Sequence, residues 1–114
     1  MVLEANIVYL EEELKNNRER LELMKKYLEE THSVSIYRRK INDRVYFYKK
    51  YWKDGKSVSE FLCKDETDYH EHMKKIKAAN EKRQKIKAQL KKLKQTEAAL
   101  ERQLKIARKT YENV

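Results

Sequence analysis

A chain of 114 residues with 41% charged side chains, one glycine and no proline is sized for a single domain. It favours long helices over a β-sandwich or an α/β fold. The net charge of +9 points to anionic partners, and a lone cysteine, Cys63, excludes an intramolecular disulfide and fits a reducing compartment. No apolar run approaches the roughly 20 residues needed to cross a bilayer. The start MVLEANIVYLEEE also lacks the basic opening and cleavage site of a signal peptide, so a cytoplasmic protein without membrane contact is expected.

The first segment, residues 1–31, reads as a helix. Leu3, Ile7, Leu10, Leu14, Asn17, Leu21, Met24 and Leu28 alternate in steps of four and three, a heptad seam with one polar interruption. Thr31, His32 and Ser33 break the pattern with β-branching and hydroxyls.

Residues 33–63 are expected to form a three-stranded antiparallel meander. Asn42-Asp43 and Asp54-Gly55 are turn signals that divide a stretch rich in Tyr, Val, Ile and Phe into three runs. Pairing across those turns sets Arg38 opposite Phe47, Lys49 opposite Glu60 and Phe47 opposite Leu62. Alternation then gives one apolar face: Val34, Ile36, Val45, Phe47, Tyr51, Val58 and Leu62. The other carries Tyr37, Arg39, Tyr46, Tyr48, Lys50, Trp52 and Phe61, with Lys53 and Lys56 beside the second turn. Rings mixed with cations suit a wet binding surface, and Tyr37, Arg39, Tyr46, Tyr48, Lys50, Trp52, Lys53 and Lys56 are its expected nucleic-acid or partner contacts. The opposite arrangement, with these rings covering the helices, would expose the aliphatic face at a larger loss of burial.

Residues 65–112 read as a second, uninterrupted helix, opened by an acidic first turn that complements the helix dipole. Its seam runs from Tyr69 through Ile76, Arg83, Leu90 and Glu97 to Tyr111. The two helices are expected to fold back as an antiparallel coiled-coil hairpin, giving an α+β, mainly α architecture with the meander at the tip. Closing the loop as tightly as possible sets Leu28 beside Tyr69, Asn17 beside Asn80, Leu14 beside Arg83 and Leu3 beside Leu93. The end of helix 2 then overhangs helix 1, and Leu100, Leu104, Ala107 and Tyr111 face a second copy or another partner.

The basic run Lys74, Lys75, Lys77, Lys82, Arg83, Lys85, Lys87, Lys91, Lys92 and Lys94 admits two explanations. It forms a nucleic-acid tract, or it is matched by Glu11, Glu12 and Glu13 near Lys85 and Lys87 and by Glu19 and Glu22 near Lys75 and Lys77. His32, Cys63, His70 and His72 lack the spacing of a metal site, since His70 and His72 sit two apart on a helix. Without a glycine-rich loop or paired acids beside a histidine, no catalytic activity, cofactor or small-molecule substrate is expected.

The run RVYFYKKYWKDGKSVSEFLCKDETDYHEHMKKI resembles the arm-type DNA-binding domain at the N-terminus of tyrosine-recombinase integrases, over about residues 37–78. That resemblance implies a sheet face in the DNA major groove, with Tyr37, Arg39, Tyr46, Tyr48, Lys50 and Trp52 at the duplex. No recombinase catalytic domain accompanies it. The whole chain is also similar to small helix–hairpin–helix proteins of Firmicutes and their mobile elements, and its outline is similar to prefoldin subunits. The expected function is therefore a non-enzymatic accessory protein that binds nucleic acid, DNA in the first instance. Two alternatives are an anti-CRISPR-type inhibitor or adaptor of phage origin that docks on a nucleoprotein complex, and a coiled-coil scaffold or chaperone subunit.

Overall fold

The computed structural model describes residues 2–113, with side chains from Glu4 onward. Its elements run α1 (Val2–Glu30), β1 (Ser35–Ile41), β2 (Arg44–Lys53), β3 (Lys56–Cys63) and α2 (Glu66–Glu112). Two helices flank a three-stranded antiparallel sheet of order β1-β2-β3, so the fold is α+β and mainly α. No helix among the described residues is long and apolar enough to cross a membrane.

Both hairpin loops have the two residues the turn signals required. Asn42 (φ 50°), Asp43 (φ 64°) and Asp54 (φ 51°) all take left-handed backbone, as does Gly55 (φ 75°). Two successive positive φ angles make the tight turn whose twist matches the flanking strands. The β1–β2 register follows at once: Arg38 faces Phe47, Tyr37 faces Tyr48 and Lys40 faces Val45. In β2–β3, Lys49 faces Glu60 as expected, but Phe47 faces Cys63 instead of Leu62. An irregularity between Phe47 and Tyr48 inserts the extra residue and shifts the end of β3 by one position.

The chain divides into two compact units, one of residues 28–85 and one of residues 1–27 with 86–114. In the first, the sheet buries Phe47 (4% exposed) and Cys63. The Phe47 ring stacks on Tyr69 of α2 at 4.3 Å between centroids, and the Arg38 guanidinium lies over both rings at 5.5 and 5.6 Å. Farther along α2, the Asn80 carboxamide meets the backbone of Val34. Val34, Ile36, Tyr51, Val58 and Leu62 are half-buried on this face. Val45 was expected among them but is 44% exposed; it lies opposite Lys40, near the first turn and away from the Phe47–Tyr69 stack.

In the second unit, Leu10 and Leu14 of α1 form a buried cluster with Leu104 and Ala107 of α2, and Ile7 and Leu100 pack against it. Asn17, 5% exposed, donates through Nδ2 to the Leu93 carbonyl at 2.9 Å. Arg18 bonds Glu101 at 2.8 Å, Arg108 bonds Glu11 at 3.0 Å, and Tyr111 donates its hydroxyl to Glu4.

These contacts replace the expected helix register. Asn17 meets Leu93 rather than Asn80, a slip of nearly two heptads. The first turns of α2 are engaged with the sheet through Tyr69 and Asn80, so they are not available to α1 in the way a tight loop closure requires. Leu28, expected beside Tyr69, instead has its carbonyl near Arg83 Nη1 at 3.3 Å. The overhang disappears with the register: Leu104 and Ala107 are buried against α1, Leu100 packs on that cluster and Tyr111 reaches Glu4. The reason for assigning these four residues to a second copy or partner is therefore gone. The expected position of Leu3 lies outside the described side chains.

Candidate nucleic-acid interface

Alternation along three paired strands places Tyr37, Arg39, Tyr46, Tyr48, Lys50, Trp52 and Phe61 on the sheet face opposite the one that carries Phe47. The rings form a connected band across the sheet. Tyr37 stacks on Tyr48 at 5.5 Å, Tyr48 meets Phe61 edge-to-face at 5.9 Å, and Phe61 meets Tyr46 edge-to-face at 6.2 Å. Such cross-strand ring pairs stabilise the sheet as well as shaping its surface. Phe61 is 56% exposed and Trp52 is 67% exposed, so large apolar surface remains open beside the band.

The cations complete the face. Arg39 lies opposite Tyr46 on the neighbouring strand, and Lys50 sits between Ser35 and Ser59. Among the described residues, neither Arg39 nor Lys50 has an ion-pair partner, which leaves their charges free to meet an anion. A face with open rings and unpaired cations can stack on bases or pack on sugars while neutralising phosphates.

Two residues of the expected contact set fall elsewhere. Lys53 and Lys56 face one another beside the Asp54-Gly55 turn and alternate onto the side of Tyr51 and Val58. There Lys53 helps to hold the Glu60 carboxyl down in pKa, after the hydrogen bond from Tyr51 and the contact with Lys49. Phe61 was assigned to the ring face but not to the contact set. Its link to both Tyr46 and Tyr48 puts it at the centre of the band.

Behind the ring face lies a polar cluster. The Tyr51 hydroxyl donates to Glu60 at 2.7 Å, Lys49 pairs with Glu60 at 3.2 Å, and His32 stacks on Tyr51 at 5.2 Å. The Glu60 carboxylate raises the pKa of the Tyr51 hydroxyl by stabilising its protonated form. His32 is thus a stacking partner, and His70 sits against Tyr69 at 5.3 Å. Among the described residues, no three histidine, cysteine, aspartate or glutamate side chains converge as metal ligands would.

The proposed charge matching of the basic run is also corrected. Glu11 pairs with Arg108, not with Lys85 or Lys87, and the acids that hold Arg18 come from Glu97 and Glu101 of α2. Among the described residues, Lys85, Lys87, Lys91, Lys92 and Lys94 have no ion-pair partner and are exposed. Arg83, alone in this run, turns inward: it bonds the Leu28 carbonyl near the end of α1, where a cation complements the helix dipole.

No protein-family model matches the chain, and neither a curated protein nor a solved structure matches it.

Proposed function

We propose that this protein binds nucleic acid, DNA in the first instance, as a non-enzymatic accessory factor, and that Tyr37, Arg39, Tyr46, Tyr48, Lys50, Trp52 and Phe61 form the contact face. The observation that carries this is the connected band of rings on the exposed side of the sheet with Arg39 and Lys50 unpaired among them. The opposite side of the sheet already has its own cover in Tyr69, so the rings are not needed for the core. Exposed lysines along α2 add a long-range positive field that speeds association with a polyanion.

The test is fluorescence anisotropy of labelled duplex and single-stranded DNA against a salt titration. Binding should weaken steeply with salt, because each neutralised phosphate releases counterions. The triple variant Tyr46→Ala, Tyr48→Ala, Lys50→Ala should abolish binding while the far-ultraviolet dichroism keeps its helical signal. Weak binding with a shallow salt slope, or binding untouched by the triple variant, rejects the proposal.

A second reading, an adaptor or inhibitor that docks the same face on a protein or nucleoprotein complex, is favoured by the high exposure of Trp52 and Phe61. Large open aromatics of this kind anchor protein interfaces as readily as they stack on bases.

A further inference from the structure

The edge of β1 is built to take another strand. Val34, just before β1, has both backbone polar groups engaged by a side chain: Asn80 Oδ1 accepts from the Val34 N–H at 3.0 Å, and Asn80 Nδ2 donates to the Val34 carbonyl at 2.8 Å. A carboxamide bonded in this way reproduces one rung of a β-ladder. Those groups point away from β2, and in a strand the backbone groups of alternate residues point the same way. The other end of β1 gives the same phase. Ile41 and Arg44 flank a two-residue turn and pair with each other, so Ile41 faces β2 and Lys40 faces the edge. Ile36, Arg38 and Lys40 therefore present their N–H and C=O groups outward along the open side of the sheet.

A groove runs beside this edge. It encloses about 670 Å³ between the start of β1 and α2, and its apolar wall is Val34, Ile36, Met73 and Ile76. Lys77 and Lys85 line its rim against a single acid, Glu81. Among the described residues, neither lysine has an ion-pair partner.

We propose that the β1 edge and this groove receive an extended, acidic segment of another protein as a fourth strand. Backbone pairing at Ile36, Arg38 and Lys40 supplies the affinity; every second side chain turns toward α2, the apolar ones onto Ile36, Met73 and Ile76 and the carboxylates at either end onto Lys77 and Lys85. Asn80 ends the ladder at Val34 and so sets the register of the incoming strand. A second copy of this chain does not fit, because antiparallel pairing of two β1 edges would juxtapose Arg38, Arg39 and Lys40 with their own counterparts, and like charges opposite one another destabilise a sheet. The site uses the strand edge, whereas the ring face uses side chains normal to the sheet, so the two proposals stand or fall separately.

The probe is a fluorescein-labelled peptide of sequence ETITITE, whose glutamates and isoleucines share one face, titrated with the full chain. Binding should be in the micromolar range, and N-methylation of the amides on one edge of the peptide should weaken it about tenfold or more, while methylation on the other edge leaves it unchanged. Lys77→Glu with Lys85→Glu should weaken it, whereas Lys105→Glu with Lys109→Glu, exposed on the other compact unit, should not. Amide exchange should slow on binding at Ile36, Arg38 and Lys40, and stay as it was at Tyr37 and Arg39. Equal binding of the basic peptide KTITITK, equal effects of methylation on both edges, no binding at millimolar peptide, or self-association of the chain through β1 in sedimentation would each overturn the proposal.

Discussion

The carboxamide of Asn80 bonds both backbone polar groups of Val34, accepting from the N–H at 3.0 Å and donating to the carbonyl at 2.8 Å. One polar side chain on a helix thereby fixes where the sheet begins relative to that helix. It also leaves the chain ahead of β1 with its hydrogen bonds satisfied.

Removing that link should loosen the sheet unit. Asn80→Leu loses both bonds and strands two backbone groups, at a cost of about 1–3 kcal/mol per unsatisfied group if they stay dry. Asn80→Asp keeps the acceptor and loses the donor, and should fall between the two. Urea midpoints give the order, and faster exchange of the Val34 amide in Asn80→Leu locates the effect. Unchanged exchange there would mean that another group holds Val34.

The helix register can be checked by cross-linking. In a Cys63→Ser background, Arg18→Cys with Glu101→Cys should join efficiently through a short bismaleimide, because the native side chains lie 2.8 Å apart. Leu14→Cys with Arg83→Cys, the pair required by tight loop closure, should not. The converse result would restore the overhang and with it the case for a partner on Leu100 and Leu104.

The Tyr51–Glu60 bond makes part of the sheet's stability dependent on pH. Glu60 has its pKa lowered, first by the Tyr51 hydroxyl and then by Lys49, so its contribution is present above the unfolded carboxylate pKa and is lost as pH falls through the lower folded value. Tyr51 has its pKa raised by the same bond, so its contribution is present below the unfolded phenol pKa and is lost as pH rises through the higher folded value. Glu60 is exposed and Tyr51 only half-buried, and the effect is correspondingly modest. Tyr51→Phe should flatten the alkaline decline in urea midpoint and shrink the acid one, where the Lys49 contact remains. Identical profiles for the two proteins would show that the bond carries no net stability.

Cys63 should be a silent thiol in the folded chain. It is buried opposite Phe47, and burial, followed by the nearby Asp68 and Asp65, pushes its pKa up, so little thiolate is present near neutrality. Ellman's reagent should react with it slowly in buffer and rapidly in urea, with a midpoint that coincides with loss of the sheet. Fast reaction in buffer would mean that the β3 end opens locally.

Much of the architecture was legible in the residues because the signals were local. Asn42-Asp43 and Asp54-Gly55 fix two-residue turns by their backbone preference, and turn position alone sets the pairing of Tyr37 with Tyr48 and of Lys49 with Glu60. From that pairing the ring face follows by alternation, Phe61 included. The bulge that brings Cys63 opposite Phe47 has no such local marker, since no glycine stands at that point.

What the chain alone determined is which side chains share a face of each element, because period two in a strand and heptad spacing in a helix are properties of the backbone. What the tertiary structure decided is which stretch of α2 meets which neighbour. A heptad pattern looks the same after a slip of seven or fourteen residues, so Leu10 could have met several turns of α2 equally well by pattern. The sheet engages Tyr69 and Asn80, and the partners of Leu10 and Leu14 are Leu104 and Ala107.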